Sequence, residues 1–423
     1  PEQRLFARFS VFGGGARLEE VEAVCGPSDD LGADLINTLS TLVDHSLIRR
    51  VDADGRPRLR MLHVIREFAG ERLEASGEQG EMHRRHADAY ASYAESVAPE
   101  LLRKDRRLWL DLLEHDHGNI RVALDWAVAN REPDLAFRLS AACWRLWQAR
   151  GHLHEARGRL GEVLALEGGD PRHRAKAMEA LGGILWWMSD MEGVVRVYRE
   201  TLDLQRELGD PKEIANALYN YSLALVFSAE EVDQAPLALD EAEGIYRELG
   251  DVGGLGDVEW GRGTYVAYAL DDIPLAMEHM KKSIVHYREA GNEFGMGWGL
   301  FEVGEMARRL GDIEQAWEHV AQGLSLFASH RDVSGIVLLV AAAAGIAYEL
   351  GDSERGQRLA GAFHGLRLTS GTEIVQSEVN RIEGTDFETL EALAGEAAIP
   401  YREGRAMSLD QAVEYALSGP TDG

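Results

Sequence analysis

The segment Gly311-Asp312-Ile313-Glu314-Gln315-Ala316 decides the fold, because similar segments lie 40 residues before it and 40 residues after it, at 271–276 and 351–356. A second pattern, in which Arg-Glu is followed by an apolar residue, glycine and Asp or Asn, alternates with the first. It recurs at intervals of 41 residues, at 206–210, 247–251 and 288–292. Two alternating turn patterns are typical of helix–turn–helix units stacked in a row.

The repeat interval also predicts how many helices there are and how long they are. The turns inside successive pairs fall near Gly151, Asp190, Glu231, Asp272, Asp312 and Asp352. A tetratricopeptide unit has about 34 residues, so an interval of about 40 predicts helices of about 18 residues, or about 27 Å. The sequence therefore predicts an all-α fold, with a tetratricopeptide-like α-solenoid of about six helix pairs across residues 134–366.

Residues 1–78 follow a different pattern and predict a small separate domain. Apolar residues at helical spacing indicate three short helices in succession. Strand-like segments at 47–51 and 58–62 then flank Asp54-Gly55, which is typical of a β-hairpin. A further helix is predicted from His63 to about Ala75. This order of three helices, a hairpin and a helix predicts a winged-helix domain.

The remaining residues are predicted to connect the repeat array and to close it. Residues 79–133 are expected to form a helical connector, and residues 367–423 to form C-terminal capping helices. Thr385 with Glu388, and Ser408 with Gln411, have the spacing of a capping box. A non-repeating end is expected because the last pair must cover an apolar face that would otherwise be exposed.

Composition limits the environment and the partners. The formal net charge of −28 opposes binding to polyanions such as nucleic acids and anionic membranes. The two cysteines, Cys25 and Cys143, lie in apolar helical segments and are predicted to be buried free thiols. The apolar run at 336–348 is shorter than the roughly 20 residues that span a bilayer, so we predict a buried helix there and a cytoplasmic protein without a membrane contact.

No motif in the sequence indicates catalysis. None of the five lysines follows a glycine as a phosphate-binding loop requires, and no Ser-His-Asp or Cys-His grouping is evident. The cluster His115-Asp116-His117 lacks further ligands at metal-site spacing. Gly13-Gly14-Gly15 is interpreted as a helix terminator, and the glycines at 295, 297 and 299 as sites of close helix packing. We therefore expect neither catalytic residues nor a metal site.

The predicted winged helix is not expected to contact DNA directly. Its third helix, which would enter the major groove, carries Asp30, Asp34 and Asp44 and no basic residue. Five arginines on the hairpin offer contacts to phosphates, and they are Arg49, Arg50, Arg56, Arg58 and Arg60. The acidic third helix outweighs this basic hairpin.

The inner face of the predicted array is the candidate effector site. Aligning the units by their turns places aromatic, Asn and Arg side chains on the first helix of each pair, which suits a groove for a peptide or small ligand. The alternative is that long helices bury the same rings between units, and the sequence leaves both open. The candidate residues are Trp186, Trp187, Asn220, Phe227, Tyr265, Tyr268, Trp298, Phe301, Arg308, Arg309 and Tyr348.

Several stretches of this chain resemble bacterial STAND-class signalling ATPases of the AfsR-like, LuxR-like and cyclase-linked kind. The segments at 5–14, 47–50 and 60–69 resemble the winged helix of these regulators. Segments within 109–126 and 146–155 also resemble these regulators, and residues 404–417 are similar to their C-terminal helix.

This resemblance implies a regulatory role. In such proteins an NB-ARC-type ATPase is held closed by the winged helix and the repeats until an inducer binds the repeats. The resemblance implies that an ATPase domain precedes Pro1 in a longer protein, so ATP or ADP and Mg²⁺ are expected only with that domain. The Met-His-Asp nucleotide sensor of the family aligns with Met61-Leu62-His63, so Leu62 replaces the histidine that would contact the nucleotide phosphate.

Together these observations predict a non-enzymatic sensor arm that binds a peptide, protein or small-molecule effector. The expected protein partner is an ATPase domain, which belongs either to the same protein or to a partner protein. The alternative is a constitutive tetratricopeptide scaffold that holds a protein partner without an inducer.

Overall fold

The computed structural model describes residues 1–26, 35–53, 56–228, 231–370 and 399–419. The chain divides into two compact units. Unit 1 consists of Pro1–Pro99, Leu108–Cys143 and Gly161–Ala177, and unit 2 of Glu100–Arg107, Trp144–Leu160 and Met178–Gly423. These units do not follow the four predicted domain ranges, 1–78, 79–133, 134–366 and 367–423, and that division of the sequence stays a prediction.

Unit 1 begins with the predicted winged-helix order. The elements are α1 (Glu2–Arg8), α2 (Leu18–Cys25), α3 (Leu35–Asp44), β1 (Arg49–Ala53), β2 (Arg56–Arg60) and α4 (His63–Ser76). The two strands pair antiparallel, with Arg49 opposite Arg60. Apolar side chains from α1, α2 and α3 meet in one core with Phe9, Phe12 and Ile48. Asp30, Asp34, Asp54 and Gly55 lie outside the described residues.

Three further helices follow, and they are α5 (Gln79–Val97), α6 (Arg106–His115) and α7 (His117–Ala129). They belong to unit 1 except for Arg106 and Arg107 at the start of α6, which belong to unit 2. The start of α7 packs closely on the triglycine segment, where a Cβ on Gly13 would lie 2.7 Å from the carbonyl oxygen of Gly118. Asn119 accepts a hydrogen bond from the Gly13 amide at 2.7 Å and donates one to the Gly15 carbonyl at 2.8 Å. The three glycines therefore allow a close backbone contact, in addition to ending the first helical segment.

The six predicted helix pairs are confirmed. The first helices are α8 (Pro133–Arg150), α10 (Pro171–Trp187), α12 (Pro211–Ser228), α14 (Val252–Tyr265), α16 (Glu293–Arg309) and α18 (Val333–Glu349). The second helices are α9 (Leu153–Leu164), α11 (Met191–Leu208), α13 (Ala235–Leu249), α15 (Ile273–Ala290), α17 (Ile313–His330) and α19 (Ser353–Ser370). Many of them have 18 residues, which agrees with the predicted length.

The repeated turn patterns work through two local effects. A glycine in the left-handed conformation ends α11, α13 and α15, because it has no Cβ to clash there. The Asp or Asn that follows a turn then caps the next helix by accepting its N3 amide, as Asp272 does from Leu275 at 3.1 Å and Asp312 from Gln315 at 3.1 Å. Each pattern therefore stops one helix and starts the next.

Glycines near the starts of three first helices receive a ring from the preceding second helix. A Cβ on Gly254 would lie 2.3 Å from the ring of Tyr246, and one on Gly295 would lie 2.8 Å from the ring of Tyr287. Gly335 has the same relation to Phe327, at 2.6 Å. Gly297 and Gly299 likewise face Phe327 and Ile284 closely, so the predicted close packing at 295, 297 and 299 is confirmed.

The apolar run at 336–348 lies in α18, and nearly all of this helix is buried. None of the helices in the described parts of the chain combines the length and apolar character needed to cross a bilayer. Cys25 and Cys143 are buried free thiols, as predicted, and burial raises the pKa of both.

Two short helices, α20 (Ile399–Arg405) and α21 (Leu409–Leu417), follow the sixth pair. The capping box of Ser408 and Gln411 is present at the start of α21, whereas Thr385 and Glu388 lie outside the described residues. Helix α21 packs against α17, α18 and α19, and Arg355 donates to the carbonyl oxygens of Tyr415 and Ala416 at its end. Both helices pack against α19 of the last pair, while the predicted capping range 367–423 stays a prediction.

Candidate functional site

A cavity of about 320 Å³ lies within unit 2. The first helix of every pair, from α8 to α18, contributes to its wall. Side chains three, four, seven and eleven positions apart on one helix face the same side, so each of these helices presents a stripe. On α12 the stripe comprises Asn216, Asn220, Leu223 and Phe227.

Five of the predicted effector residues lie on the cavity wall, and they are Trp186, Trp187, Asn220, Phe227 and Trp298. The rings of Trp187 and Trp298 meet at 5.3 Å between centroids, although they belong to the second and fifth pairs. The structure therefore brings together residues that the repeat alignment placed on one face without showing that they meet.

The aligned position late in each first helix forms a row of stacked rings. Trp186 meets Phe227 edge-on at 4.9 Å, and Phe227 meets Tyr268 at 4.7 Å. Trp186 and Phe227 also line the cavity, whereas Tyr268 lies outside its lining. The sequence left open whether these rings line a ligand groove or are buried between units. At these positions both hold, because the rings pack between pairs and two of them also face the cavity.

The other predicted effector residues lie outside the cavity lining. Phe301 is buried against Trp298, and Tyr265 packs in the hydrophobic clusters around α14. Arg308 forms ion pairs with Glu305 and Glu349, and Arg309 pairs with Asp271. Tyr348 lies against the backbone of Gly356. Packing and ion pairs engage these residues in the structure, and their role in effector binding stays a prediction.

Contacts far apart in sequence close one side of unit 2. The amide of Gln148 donates to the Asp332 carboxylate at 3.1 Å, and the Ser334 hydroxyl donates to the Gln148 carbonyl at 2.8 Å. Arg106 forms an ion pair with Asp332 at 2.6 Å, and both side chains are fully buried. The first pair thus contacts the sixth pair directly.

A cation and a carboxyl on the cavity wall have unusual surroundings. The Arg145 guanidinium lies 3.9 Å from the ring centroid of Trp144 and 4.4 Å from that of Phe294. Burial, with the nearby charge of Arg106, lowers the pKa of Arg145 to about 10, so it stays charged at neutral pH. Burial raises the pKa of the Asp257 carboxyl to about 7, although the Tyr287 hydroxyl donates a hydrogen bond to it at 2.8 Å.

Sequence reasoning missed several wall residues that carry charge or reach in from second helices. Glu179, Asp257 and Glu302 lie on the stripes of α10, α14 and α16, so extending each stripe from its late aromatic residue would have found them. Tyr287 belongs to a second helix and reaches the wall past the glycines Gly256 and Gly295. The signal in the sequence for such rings is the glycines near the helix starts, which leave room for a ring from a second helix.

Unit 1 contains the remaining predicted site residues. Leu62 is 45% exposed and precedes α4, and His63 begins that helix as an exposed side chain near Glu67. Both are accessible on the surface of unit 1, and their alignment with the nucleotide-sensor position of the family, with Leu62 in place of the contacting histidine, remains a prediction.

The basic hairpin contains four exposed arginines, and the prediction for Arg58 was wrong. Arg58 is 5% exposed, donates to the Gly15 carbonyl at 3.0 Å and pairs with Asp116 at 2.5 Å. Asp116 is fully buried and also lies 3.6 Å from Arg17. Burial, with Glu20 nearby, raises the pKa of Asp116 to about 6, and Arg58 opposes this rise. The central residue of the His-Asp-His cluster thus anchors the hairpin.

Comparison with known proteins supports this description of unit 1. The family model described as a winged helix-turn-helix domain matches residues 1–74. Residues 1–74 form a winged helix-turn-helix domain.

Relatives extend the similarity beyond the winged helix-turn-helix domain. Two proteins named HTH-type transcriptional regulators, from Mycobacterium tuberculosis and Mycobacterium bovis, are each 30% identical to this chain over 255 residues. That match covers 55% of this chain and 28% of each regulator, so the chain spans under a third of the length of these relatives.

Solved structures with similar coordinates include two repeat proteins. A STAND protein with a tetratricopeptide repeat sensor from Pyrococcus horikoshii is 14% identical, with a TM-score of 0.43, over 95% of this chain and 62% of that chain. A Rap protein complexed with competence and sporulation factor is 13% identical, with a TM-score of 0.47, over 82% of this chain and 100% of that chain.

Proposed function

We propose that unit 2 is the effector-binding sensor of a bacterial transcriptional regulator of the STAND class. The observation that carries the proposal is the cavity, because the first helix of all six pairs contributes to its wall. A single bound molecule can therefore contact every pair at once. The similarity to HTH-type regulators supports a regulatory role.

A ligand in this cavity has a physical route to the rest of the repeats. It shifts an equilibrium only by binding one arrangement of the helices more tightly than another. Because neighbouring pairs share rings such as Trp186, Phe227 and Tyr268, a change at the wall alters the packing between pairs. We propose that this change is passed to an ATPase domain, in the same protein or in a partner, which binds the nucleotide and Mg²⁺.

In this proposal the chain itself is a cytoplasmic binding module without catalytic residues, and DNA is contacted by another part of the regulator. The acidic net charge of −28 supports the second point. The alternative function is a scaffold that holds a protein partner without an inducer. The small cavity with its aromatic lining favours a sensor, since concave sites of this volume and lining suit small ligands.

A binding screen with a matched tryptophan pair tests the proposal. Purified chain is screened by thermal shift against a panel of bacterial metabolites and short peptides, and each ligand found is measured by calorimetry. A ligand at about 100 times its Kd stabilises the protein by about 2.7 kcal/mol, which is a measurable shift in Tm. We expect Trp186→Ala, on the cavity wall, to weaken binding at least tenfold.

The control is Trp317→Ala, which removes a half-buried tryptophan from α17, outside the cavity lining. It should leave the affinity unchanged, while circular dichroism shows that both variants keep their helices. If no member of the panel binds, or if both variants lose affinity equally, the scaffold is the better description.

A further inference from the structure

We infer that the ligand of this cavity is a small aromatic carboxylate, whose anionic group is bound by Arg145. This inference rests on the proposed function, since it names the chemical class of the effector that the cavity takes.

Arg145 is prepared to bind an anion. Its guanidinium stacks near the rings of Trp144 and Phe294, which fixes the plane of the group and leaves its N–H edges for hydrogen bonds. The described residues give Arg145 no hydrogen bond and no ion pair. A desolvated cation without a partner is costly, and an incoming carboxylate removes that cost with two parallel hydrogen bonds.

The carboxyl groups on the same wall are already engaged. Asp257 accepts a hydrogen bond from Tyr287 at 2.8 Å. Glu179 and Glu302 each have an interaction partner in the structure. Arg106, which lies near Arg145, is paired with Asp332. Arg145, by contrast, has neither a hydrogen bond nor an ion pair among the described residues, and this unmet capacity of a cation favours an anionic ligand.

The rest of the wall suits a flat, largely apolar body. Five of the nine tryptophans in the chain line the cavity, and they are Trp144, Trp186, Trp187, Trp260 and Trp298. Indole rings gain most from stacking on another ring. A volume of about 320 Å³ is near the lower end of the range for small-molecule sites, about 300–1,000 Å³, so a compact ring compound fits better than a long peptide.

Calorimetry with matched probes tests the inference. Indole-3-acetate supplies the ring and the carboxylate, indole-3-acetamide replaces the carboxylate by a neutral amide, and tryptamine places a cation on the same ring. We expect the unaltered chain to bind indole-3-acetate at least tenfold more tightly than either of the others. Quenching of tryptophan fluorescence by the bound probe gives an independent measurement.

Two substitutions connect that preference to Arg145. Arg145→Gln should reduce the preference for the acid over the amide to less than twofold. Arg145→Lys, which keeps the charge without the planar group, should retain part of it. Arg196→Gln is the matched control, because Arg196 is an exposed arginine on α11 outside the cavity lining, and it should bind like the unaltered chain.

The outcomes separate this inference from the proposed function. If the amide or tryptamine binds as tightly as the acid to the unaltered chain, the anion inference is wrong whether or not the variants fold. It is also wrong if none of the three probes binds while the panel yields another ligand that depends on Trp186, and the sensor proposal then stands. If neither the probes nor the panel bind, both proposals fail.

Discussion

Asp257 shows how a single residue links the cavity to pH. Burial raises the pKa of its carboxyl from 3.8 to about 7 in the folded protein. Between these values the folded state binds more protons at this residue than the unfolded state does. The free energy of unfolding therefore falls as the pH rises from about 4 to about 7. Above pH 7 the folded protein contains the ionised Asp257 carboxylate, and its full destabilising effect is present.

Asp257→Asn should remove this pH-dependent cost. Asparagine keeps an oxygen that accepts from the Tyr287 hydroxyl and carries no charge at any pH. At pH 8 the variant should be more stable than the unaltered chain by roughly 2 kcal/mol, less than the full pKa difference implies because Asp257 is partly exposed and its charge is partly screened. At pH 4 the two should differ little. Urea denaturation at both values measures this, and an equal difference at pH 4 and pH 8 would contradict the assignment.

Pairs of helices are held at close range by a ring that lies on a glycine. Tyr246 at the end of α13 lies on Gly254 near the start of α14, and Asp251 caps α14 through the Gly254 amide at 3.0 Å. The same glycine therefore serves both the cap and the packing. Because the arrangement recurs at Gly295 and Gly335, it is a property of the repeat and sets how closely neighbouring helices approach.

Gly254→Ala and Gly253→Ala test this arrangement on adjacent residues. A Cβ on Gly254 would lie 2.3 Å from the Tyr246 ring, whereas one on Gly253 would have its nearest neighbour at 3.4 Å. Gly254→Ala should destabilise unit 2 by about 1–3 kcal/mol through overpacking. Gly253→Ala should be neutral or slightly stabilising, since alanine favours a helix. Equal midpoints for the two variants in urea would show that the ring does not need the glycine.

The elements were predictable from the sequence where local chemistry determines them. The Gly-Asp turns, the capping box at Ser408 and the hairpin follow from residues within a few positions of each other, and the predicted helix pairs are confirmed. The exposed position assigned to Arg58 was wrong, because its partner Asp116 lies 58 residues away. Arg145 was missed for a similar reason, since its environment comes from α16, about 150 positions later in the chain.

At the scale of the whole chain, the closing contact of unit 2 was beyond the reach of the repeat pattern. Periodicity predicts that each pair contacts the next, but it contains no signal that the first pair returns to the sixth. Gln148 and Asp332 are 184 residues apart, and bringing them together costs loop-closure entropy that only the folded array can offset. The repeat pattern therefore predicted the candidate site only as a face of the array.

Two aspartates with the same local role measure what the closure contributes. Asp312 and Asp332 each accept an N3 amide at 3.1 Å, so replacing either with alanine removes a helix cap worth about 1 kcal/mol. Asp312 is exposed, whereas Asp332 also pairs with buried Arg106 and accepts from Gln148. Asp332→Ala should therefore cost about 3–5 kcal/mol, because it leaves the Arg106 charge buried without its partner.

The double variant Asp332→Ala with Arg106→Met shows whether that cost comes from the closing ion pair. Removing both charges should restore part of the stability lost in Asp332→Ala, since the remaining side chains pack without an isolated charge. The double variant should still bind cavity ligands more weakly than Asp312→Ala does, because the first and sixth pairs both contribute to the wall. Equal losses of stability for Asp312→Ala and Asp332→Ala would mean that the contact between these pairs adds nothing to the stability of the fold.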